Sequence, residues 1–272
     1  HDKIGGILRF GIPEFRLPKK IIDRYQELLI QLGVKIRPNT IVGPVITLDD
    51  LFRDNYKAVF IGTGVWKPRK LDIEGESLGN VFYAIDYLRN PENHYLGQRV
   101  SVIGGGNVAL DVARTALRKG AKEVVLFYRR SEKNMPSSQH EIDYAKMDGV
   151  QFEFNRAPKK ITDSCVYFIK TKVDSDNNLI EIPGTEICYD ADSVIISVSQ
   201  KPQRNIVDSL ESDNQIKLNK FGLIMIDNTG KTSMEGVFAS GDVVSGAKTV
   251  VEAVASAKIA ANTLDEYVKS QE

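Results

Sequence analysis

The sequence predicts an α/β fold with a parallel sheet, and three stretches carry that prediction. Residues 99–132 run from an apolar, β-rich segment (Val100 to Ile103) through Gly104, Gly105 and Gly106 into a helical pattern, then into a second apolar strand over 123–128. Residues 57–61 form another apolar run, ended by Gly62-Thr63-Gly64. Residues 237–239 do the same ahead of Gly241-Asp242 and a long helical pattern from Val250. Strands that pass at once through glycine turns into helices build βαβ units, and such units make parallel sheets.

In chain order, residues 1–20 read as loop, punctuated by Gly5-Gly6, Gly11-Ile12-Pro13 and Leu17-Pro18. Ile21, Ile22, Tyr25, Leu28 and Leu29 at helical spacing predict a helix over 18–32, stopped by Gly33, and a short strand over 34–36. Thr47 is the expected N-cap of a helix over 48–52. A connection over 66–76 leads to a helix over 80–88. Beyond the central unit, a helix over 135–147 enters through Pro136, Ser137 and Ser138, and a strand follows over 150–154. Residues 163–182 alternate around a polar turn at 174–178, which predicts a hairpin. Buried strands are expected over 192–198, 222–226 and 237–239. A terminal helix over 250–267 carries its apolar stripe on Val250, Val254, Ala257, Ala261 and Leu264.

The central unit holds Gly104-x-Gly106-x-x-Ala109 between a strand and a helix, the spacing of a dinucleotide-binding turn. Gly104 permits the tight turn out of the strand. Gly106, without a Cβ, lets a pyrophosphate approach the backbone, and the small Ala109 lets helix pack on strand. At the helix start, Asn107 and Val108 offer unpaired N–H groups and the positive end of the helix dipole. Gly105 and Asp111 complete the candidate phosphate-side residues. The second strand ends in Arg129 and Arg130, where Arg receives the 2′-phosphate of NADP and an acidic residue would receive the ribose of NAD. The two arginines favour NADP, and Glu132 nearby leaves NAD open. At the other end of the chain, Asp242 stands between a strand and a helix N-terminus near Thr249 and Val250, where a carboxylate can accept a hydroxyl from a polyol or ribose.

Composition narrows the classes. The 272 residues suffice for one large or two ordinary domains, with 42% hydrophobic and 26% charged residues. Thirty-six basic residues balance 36 acidic ones, so charge points neither to nucleic acid nor to a membrane surface. No apolar run approaches the roughly 20 residues of a membrane helix, and no signal-peptide core leads the chain. Two cysteines, Cys165 and Cys188, exclude a CxxC redox pair and an in-chain four-cysteine cluster, and their scarcity suits a cytoplasmic location. His1, His94 and His140 form no metal-ligand spacing, so no metal site is expected. The first residue is His rather than Met, which fits a fragment or a processed chain.

Val237-Phe238-Ala239-Ser240-Gly241-Asp242 followed by Thr249-Val250-Val251 resembles the second FAD motif of flavoprotein reductases with two dinucleotide domains. The run Gly11-Ile12-Pro13-Glu14-Phe15-Arg16-Leu17-Pro18, the Gly62-Thr63-Gly64 turn, and Tyr128-Arg129-Arg130 with Met135-Pro136 narrow the likeness. Together they are similar to the small subunit of NADPH-dependent glutamate synthase and its relatives, over nearly the whole chain. The resemblance implies two Rossmann-like domains, with the NADP domain inserted into an incomplete FAD domain. Residues 1–78 and 201–272 would form the FAD part and 79–200 the NAD(P) domain. Asp242, with Gly241, would bond the FAD ribitol. Thr249 and Val250 would face the flavin ring, Gly11, Ile12 and Pro13 would line the same pocket, and Thr63-Gly64 would mark the crossover.

The family's first FAD fingerprint has no counterpart in these residues, so FAD is expected to be held weakly or not at all. Where the family has glycine before Gln-x-Pro, this chain has Ser199, and an altered turn is expected there. The activity implied is hydride transfer from NADPH to FAD, with electrons passed to a partner subunit or iron–sulfur protein. The alternatives are a related reductase serving ferredoxin, a pyrimidine or a sulfur compound, and an NADP-binding module without flavin activity.

Overall fold

A computed structural model describes residues 1–203 and 216–271. The helices are α1 (Gly6–Phe10), α2 (Lys19–Gln31), α3 (Leu48–Arg53), α4 (Ala84–Arg89), α5 (Asn107–Arg118), α6 (Gln139–Met147), α7 (Asp242–Ser245) and α8 (Val250–Lys269). The principal strands are β1 (Val59–Ile61), β2 (Val81–Tyr83), β3 (Arg99–Ile103), β4 (Glu123–Tyr128), β5 (Gln151–Phe154), β6 (Arg156–Ile161), β7 (Cys165–Val173), β8 (Leu179–Glu181), β9 (Ile187–Asp190), β10 (Ser193–Ile196) and β11 (Val237–Ala239). They fall into two compact units. One comprises Lys3–Ile36 and Pro68–Ser199; the other comprises His1–Asp2, Arg37–Lys67 and Gln200–Glu272. Of the expected 201–272 segment, residues 204–215 and 272 lie outside the described residues.

The larger unit is built on a five-stranded parallel sheet in the order β2-β10-β3-β4-β5. Strand β3 is covered on both faces: Val100, Ser101, Val102 and Ile103 are all buried. On one face Val100 and Val102 pack with α4, α5 and α6, through Tyr87, Leu110, Val112, Ala113, Ile142 and Ala145. On the other face an antiparallel layer of β6, β7 and β9 closes the core, with the Phe127 ring stacked on Phe168 at 3.9 Å. Helix α5 is buried around its whole circumference from Ala109 to Thr115. It ends in a Schellman motif, Gly120 at φ +103 and the Ala121 N–H donating to the Ala116 carbonyl.

The smaller unit pairs β1 with β11 in parallel, Val59 opposite Val237 and Ile61 opposite Ala239. Leu48 and Val243 cover this pair, and Thr47 caps α3 in a reciprocal box with Asp50. Helix α8 opens with the same device, Thr249 and Glu252 each capping the other's backbone N–H.

Several expected elements are corrected. Residues 34–36 form no strand; the Val34 N–H instead closes the α2 Schellman motif on the Leu29 carbonyl. The helix expected over 80–88 divides into β2 and α4, because Val81, Phe82 and Tyr83 suit a sheet edge and pair with β10. Helix α6 starts only at Gln139, after the Ser138 cap, and Met135 goes into the core. Residues 222–226 make one bridge, Leu218 to Ile224, and no strand. The loop over 1–20 contains α1. Strands β6 and β9 have no counterpart in the sequence expectation; they complete the hairpin into the covering layer. Cys165 and Cys188 lie on neighbouring strands of that layer and are joined by a disulfide, a pairing the cysteine count did not anticipate.

The face of α8 is corrected too. Val250 and Val254 are exposed, and the contacts run through Ala253, Ser256, Ala260 and Tyr267, one position round the helix. Ser240 and Ser256 share a 2.8 Å hydroxyl contact, and the Ala260 methyl sits where a Cβ on Gly230 would lie 2.4 Å away. Close approach selected small residues over large apolar ones.

The turn at Ser199 departs from ordinary geometry as the sequence suggested. Ser199 has φ +86, a region costly for any residue with a Cβ. Ser199→Gly is expected to raise stability by roughly 0.5–1 kcal/mol, relief of about 1–2 offset by added chain entropy of about 0.4–1. The denaturant midpoint measures it, and an unchanged or lower midpoint would refute the strain.

Candidate functional site

Chain order creates a crevice in the parallel sheet. From β3 the chain moves outward through β4 and β5 on one side, then returns to β10 on the other side of β3. Between the carboxyl ends of β3 and β10, connections leave in opposite directions, and ligands of open α/β sheets bind at such a switch point. Gly104 ends β3 there, and Ser197 leaves β10 beside it, its N–H donating to the Ile103 carbonyl at 2.8 Å.

The three glycines of the loop have different physical reasons. A Cβ on Gly104, at φ +152, would lie 2.2 Å from the Ser197 carbonyl oxygen. A Cβ on Gly105 would lie 2.4 Å from the Tyr128 ring. Gly106 has φ −87 and ψ 171, which any residue adopts, and the nearest atom to its Cβ position is Pro136 Cγ at 4.0 Å. The fold therefore demands the first two glycines and leaves room at the third. Gly106 is also the N-cap of α5 without a side-chain cap, and no acidic residue occupies the first turn. Among the described residues, the N–H groups of Gly106, Asn107 and Val108 donate to no partner. Ser137 lies over the loop, its hydroxyl donating to the Gly105 carbonyl at 2.9 Å.

At the end of β4 the two arginines part company. Arg129 is exposed, and among the described residues its side chain has no hydrogen bond or ion pair. Arg130 donates from both terminal nitrogens to Asn177, to Oδ1 at 2.8 Å and to the carbonyl at 3.2 Å. Thr171 Oγ1 donates to the Arg129 carbonyl at 2.7 Å and the Asn155 N–H to that of Arg130 at 3.1 Å, so this strand end is held by the covering layer.

Asp111 has a different environment from its neighbours in the motif. Its two carboxylate oxygens accept from Arg16 NH1 at 2.8 and 2.7 Å, and its side chain is buried. Burial pushes its carboxyl up to about 6, with Arg16 working in the opposite direction. Arg16 NH2 reaches Glu141 at 2.6 Å, and Arg114 joins Glu141 to Asp148. Both oxygens of Asp111 are thus engaged by Arg16 inside the larger unit. The charged i, i+3 spacing of Asp111 and Arg114 on an otherwise apolar helix was the sequence signal for this cluster.

Gly11, Ile12 and Pro13 form the turn after α1. Lys19 Nζ donates to the Ile12 carbonyl and, at 2.9 Å, to the Leu8 carbonyl, and burial lowers the Lys19 pKa. In the smaller unit, Thr63-Gly64 and Gly241-Asp242 lie just beyond the carboxyl ends of the paired strands β1 and β11. Gly64 and Gly241 have φ +70 and +74. Asp242 accepts from the Lys248 N–H at 3.2 Å through one oxygen, and burial raises its pKa. Thr249 is occupied in capping α8, while Val250 is exposed at the helix mouth. No group of three or more His, Cys, Asp or Glu residues able to hold a metal occurs among the described residues.

Residues 45–257 match the family model described as pyridine nucleotide-disulphide oxidoreductase. The chain belongs to this family. The small chain of glutamate synthase [NADPH] from Azospirillum brasilense is 34% identical over 296 residues, covering 100% of this chain and 61% of that protein. The beta subunit of NADP(+)-dependent formate dehydrogenase from Moorella thermoacetica is 38% identical over 282 residues, covering 97% of this chain and 39% of that protein. This member of the family therefore spans less than two thirds of the length of these relatives. Its fold is similar to that of FprA from Mycobacterium tuberculosis in complex with NADPH, with a TM-score of 0.74 at 19% identity, covering 97% of this chain and 75% of that one.

Alanine at the two glycines should have unequal effects on stability. Gly104→Ala should destabilise by about 2–4 kcal/mol, because the obstructing atom is backbone. Gly106→Ala should change stability by less than about 1 kcal/mol. Equal losses in thermal melts would contradict the division between them.

Proposed function

We propose that this chain is the nucleotide-binding part of an NADPH-dependent flavin oxidoreductase of the glutamate synthase small-chain type. The observation that carries the reading is the open space at the Cβ position of Gly106, beside three helix N-terminal N–H groups that donate to no partner among the described residues. A residue that the fold would accept with a side chain is glycine, which fits a diphosphate lying against the backbone. Gly104 and Gly105 shape the turn, Asn107 and Val108 donate, and the helix dipole favours the negative charge. Arg129 takes the 2′-phosphate, and Arg130 supports it from its hold on Asn177. Residues 79–200 form the nucleotide domain in this reading, with 1–78 and 201–272 contributing to the flavin side.

On that side the donor chemistry suits FAD. Asp242 keeps one oxygen free as an acceptor for a ribitol hydroxyl, Gly241 and Thr63-Gly64 leave the strand ends open, and Val250 offers an apolar surface beside the Thr249 cap. FAD, when bound, accepts the hydride that NADPH gives up at nicotinamide C4. The chain's own residues bind and orient, and no side chain is assigned as acid or base, since hydride transfer between rings depends on position. Electrons pass onward to a partner subunit or iron–sulfur protein, in the cytoplasm. Among the described residues no helix is long and apolar enough to cross a membrane.

Arg129→Ala should weaken NADPH roughly 10- to 100-fold, the loss of one charge-assisted contact at about 1.4 kcal/mol per decade, and leave NADH nearly unchanged. Arg130→Ala should cost less. Equal losses for both nucleotides, read from NADPH and NADH fluorescence titrations, would sink the 2′-phosphate assignment. The redox reading is checked by the visible spectrum of the FAD-supplemented chain before and after anaerobic NADPH. Flavin bands that bleach support it; flavin that binds and stays oxidised rejects it.

A further inference from the structure

Three charged residues of helix α5, two of α6 and its C-cap, and one of the 11–18 run form a cluster that the proposed reaction leaves unused. Arg16 is its hub. Its guanidinium holds both oxygens of Asp111 at 2.8 and 2.7 Å and Glu141 at 2.6 Å, so one side chain bridges two helices. Arg114 continues the cluster from Glu141, at 3.5 Å, to Asp148, at 2.8 Å, and Arg118 also reaches Asp148 at 2.8 Å. The neighbouring Phe15 ring lies 4.7 Å from the Arg114 guanidinium carbon and 4.5 Å from that of Arg118. Three arginines thus balance three carboxylates, and Phe15 and Arg16 dock together.

The position of this cluster gives it a task. Asp111 stands one turn beyond Val108, on the helix whose first N–H groups face the nucleotide. Glu141 lies in the first turn of α6, just after Pro136 and Ser137, which stand over the glycine loop. Both helices that frame the loop are therefore gripped by the side chain that follows the Gly11-Ile12-Pro13 turn. The Arg16 N–H also donates to the Pro13 carbonyl at 3.0 Å, so turn and anchor are one rigid piece. The two terminal nitrogens divide the work: NH1 serves both oxygens of Asp111 and NH2 serves Glu141, a division that one ammonium nitrogen cannot reproduce.

We propose that Arg16 is a positioning residue that couples the 11–13 turn to the nucleotide loop, so that binding at one steadies the other. The proposal rests on the assignment of NADPH to the loop. Two sites that share a rigid element affect each other equally in both directions. NADPH bound at Gly106 to Val108 steadies α5, hence Asp111, hence the 11–18 run, and an undocked run weakens NADPH by the same factor.

Amide hydrogen exchange on the whole chain, with NADPH as the probe, tests the coupling. In the parent chain, NADPH should slow exchange both in peptides covering 104–110 and in peptides covering 11–18. Arg16→Gln should speed exchange over 11–18 and remove its response to NADPH, while peptides over 104–110 still slow at saturating nucleotide. NADPH affinity should fall roughly 5- to 10-fold, the lower end of the usual range of such couplings. Arg16→Lys keeps the charge balance and the fold, and should behave as Arg16→Gln. If 11–18 still responds to NADPH in both variants, Arg16 does not couple the sites. If NADPH slows 104–110 but not 11–18 in the parent, the coupling alone is overturned. If NADPH slows neither, the nucleotide assignment falls and the coupling with it.

Discussion

The close approach of two backbones at the end of the parallel sheet is the constraint on which the rest depends. Strand β10 must lie against β3 for its buried Val194, Ile195 and Ile196 to join the two cores on either side of the sheet. The chain leaving β3 must then turn within contact of Ser197, and only a residue without a side chain can do so, as the 2.2 Å to the Ser197 carbonyl shows. Once that turn is made, the N–H groups of Gly106, Asn107 and Val108 emerge at the carboxyl end of the sheet and donate to no partner among the described residues. A binding face thus follows from the way the sheet closes.

The cluster around Arg16 obeys a different logic. Burying an aspartate costs several kcal/mol unless it is paired, and a buried pair rarely stabilises more than an apolar substitute of the same shape. What it does provide is direction. A guanidinium that meets Asp111 with one nitrogen and Glu141 with another accepts one orientation, whereas an apolar contact at the same place would tolerate sliding. The raised carboxyl of Asp111, at about 6, shows the cost of its burial only partly met by Arg16. Precision in placing the 11–18 run, rather than stability, is what the arrangement supplies.

The parts of the fold legible in the sequence are those where local pattern and tertiary environment agree. Strand β3, helix α5 and strand β4 read correctly because doubly covered strands are mostly apolar, and because Gly120 ends the helix by a backbone rule. Residues 81–83 were misread because their identity as a strand depends on β10, more than a hundred residues away in the sequence. The face of α8 was misread because hydrophobicity points to Val250 and Val254, whereas packing against Gly230 and Ser240 rewards small side chains. Around the site, the strand–glycine turn–helix geometry was legible from spacing. The surroundings of Asp111 were not, since its bond to Arg16, 95 residues away, depends on the fold.

Glycine and its absence make the sharpest distinction along the loop. A glycine forced by neighbouring atoms is evidence about the fold alone, and Gly104 and Gly105 are of that kind. A glycine in ordinary geometry with an open side is evidence about something outside the chain, and Gly106 is of that kind. Ser199 is the converse, a side chain held at φ +86 where glycine would sit without strain. It follows Ser197 and Val198 out of β10, where its carbonyl accepts from the Arg69 N–H at 3.1 Å. Strain kept where relief is one substitution away points to a constraint on the hydroxyl-bearing residue itself, and such strain gathers at sites where position matters more than stability. Gly106 thus shows room that the fold does not need, and Ser199 strain that the fold does not ask for.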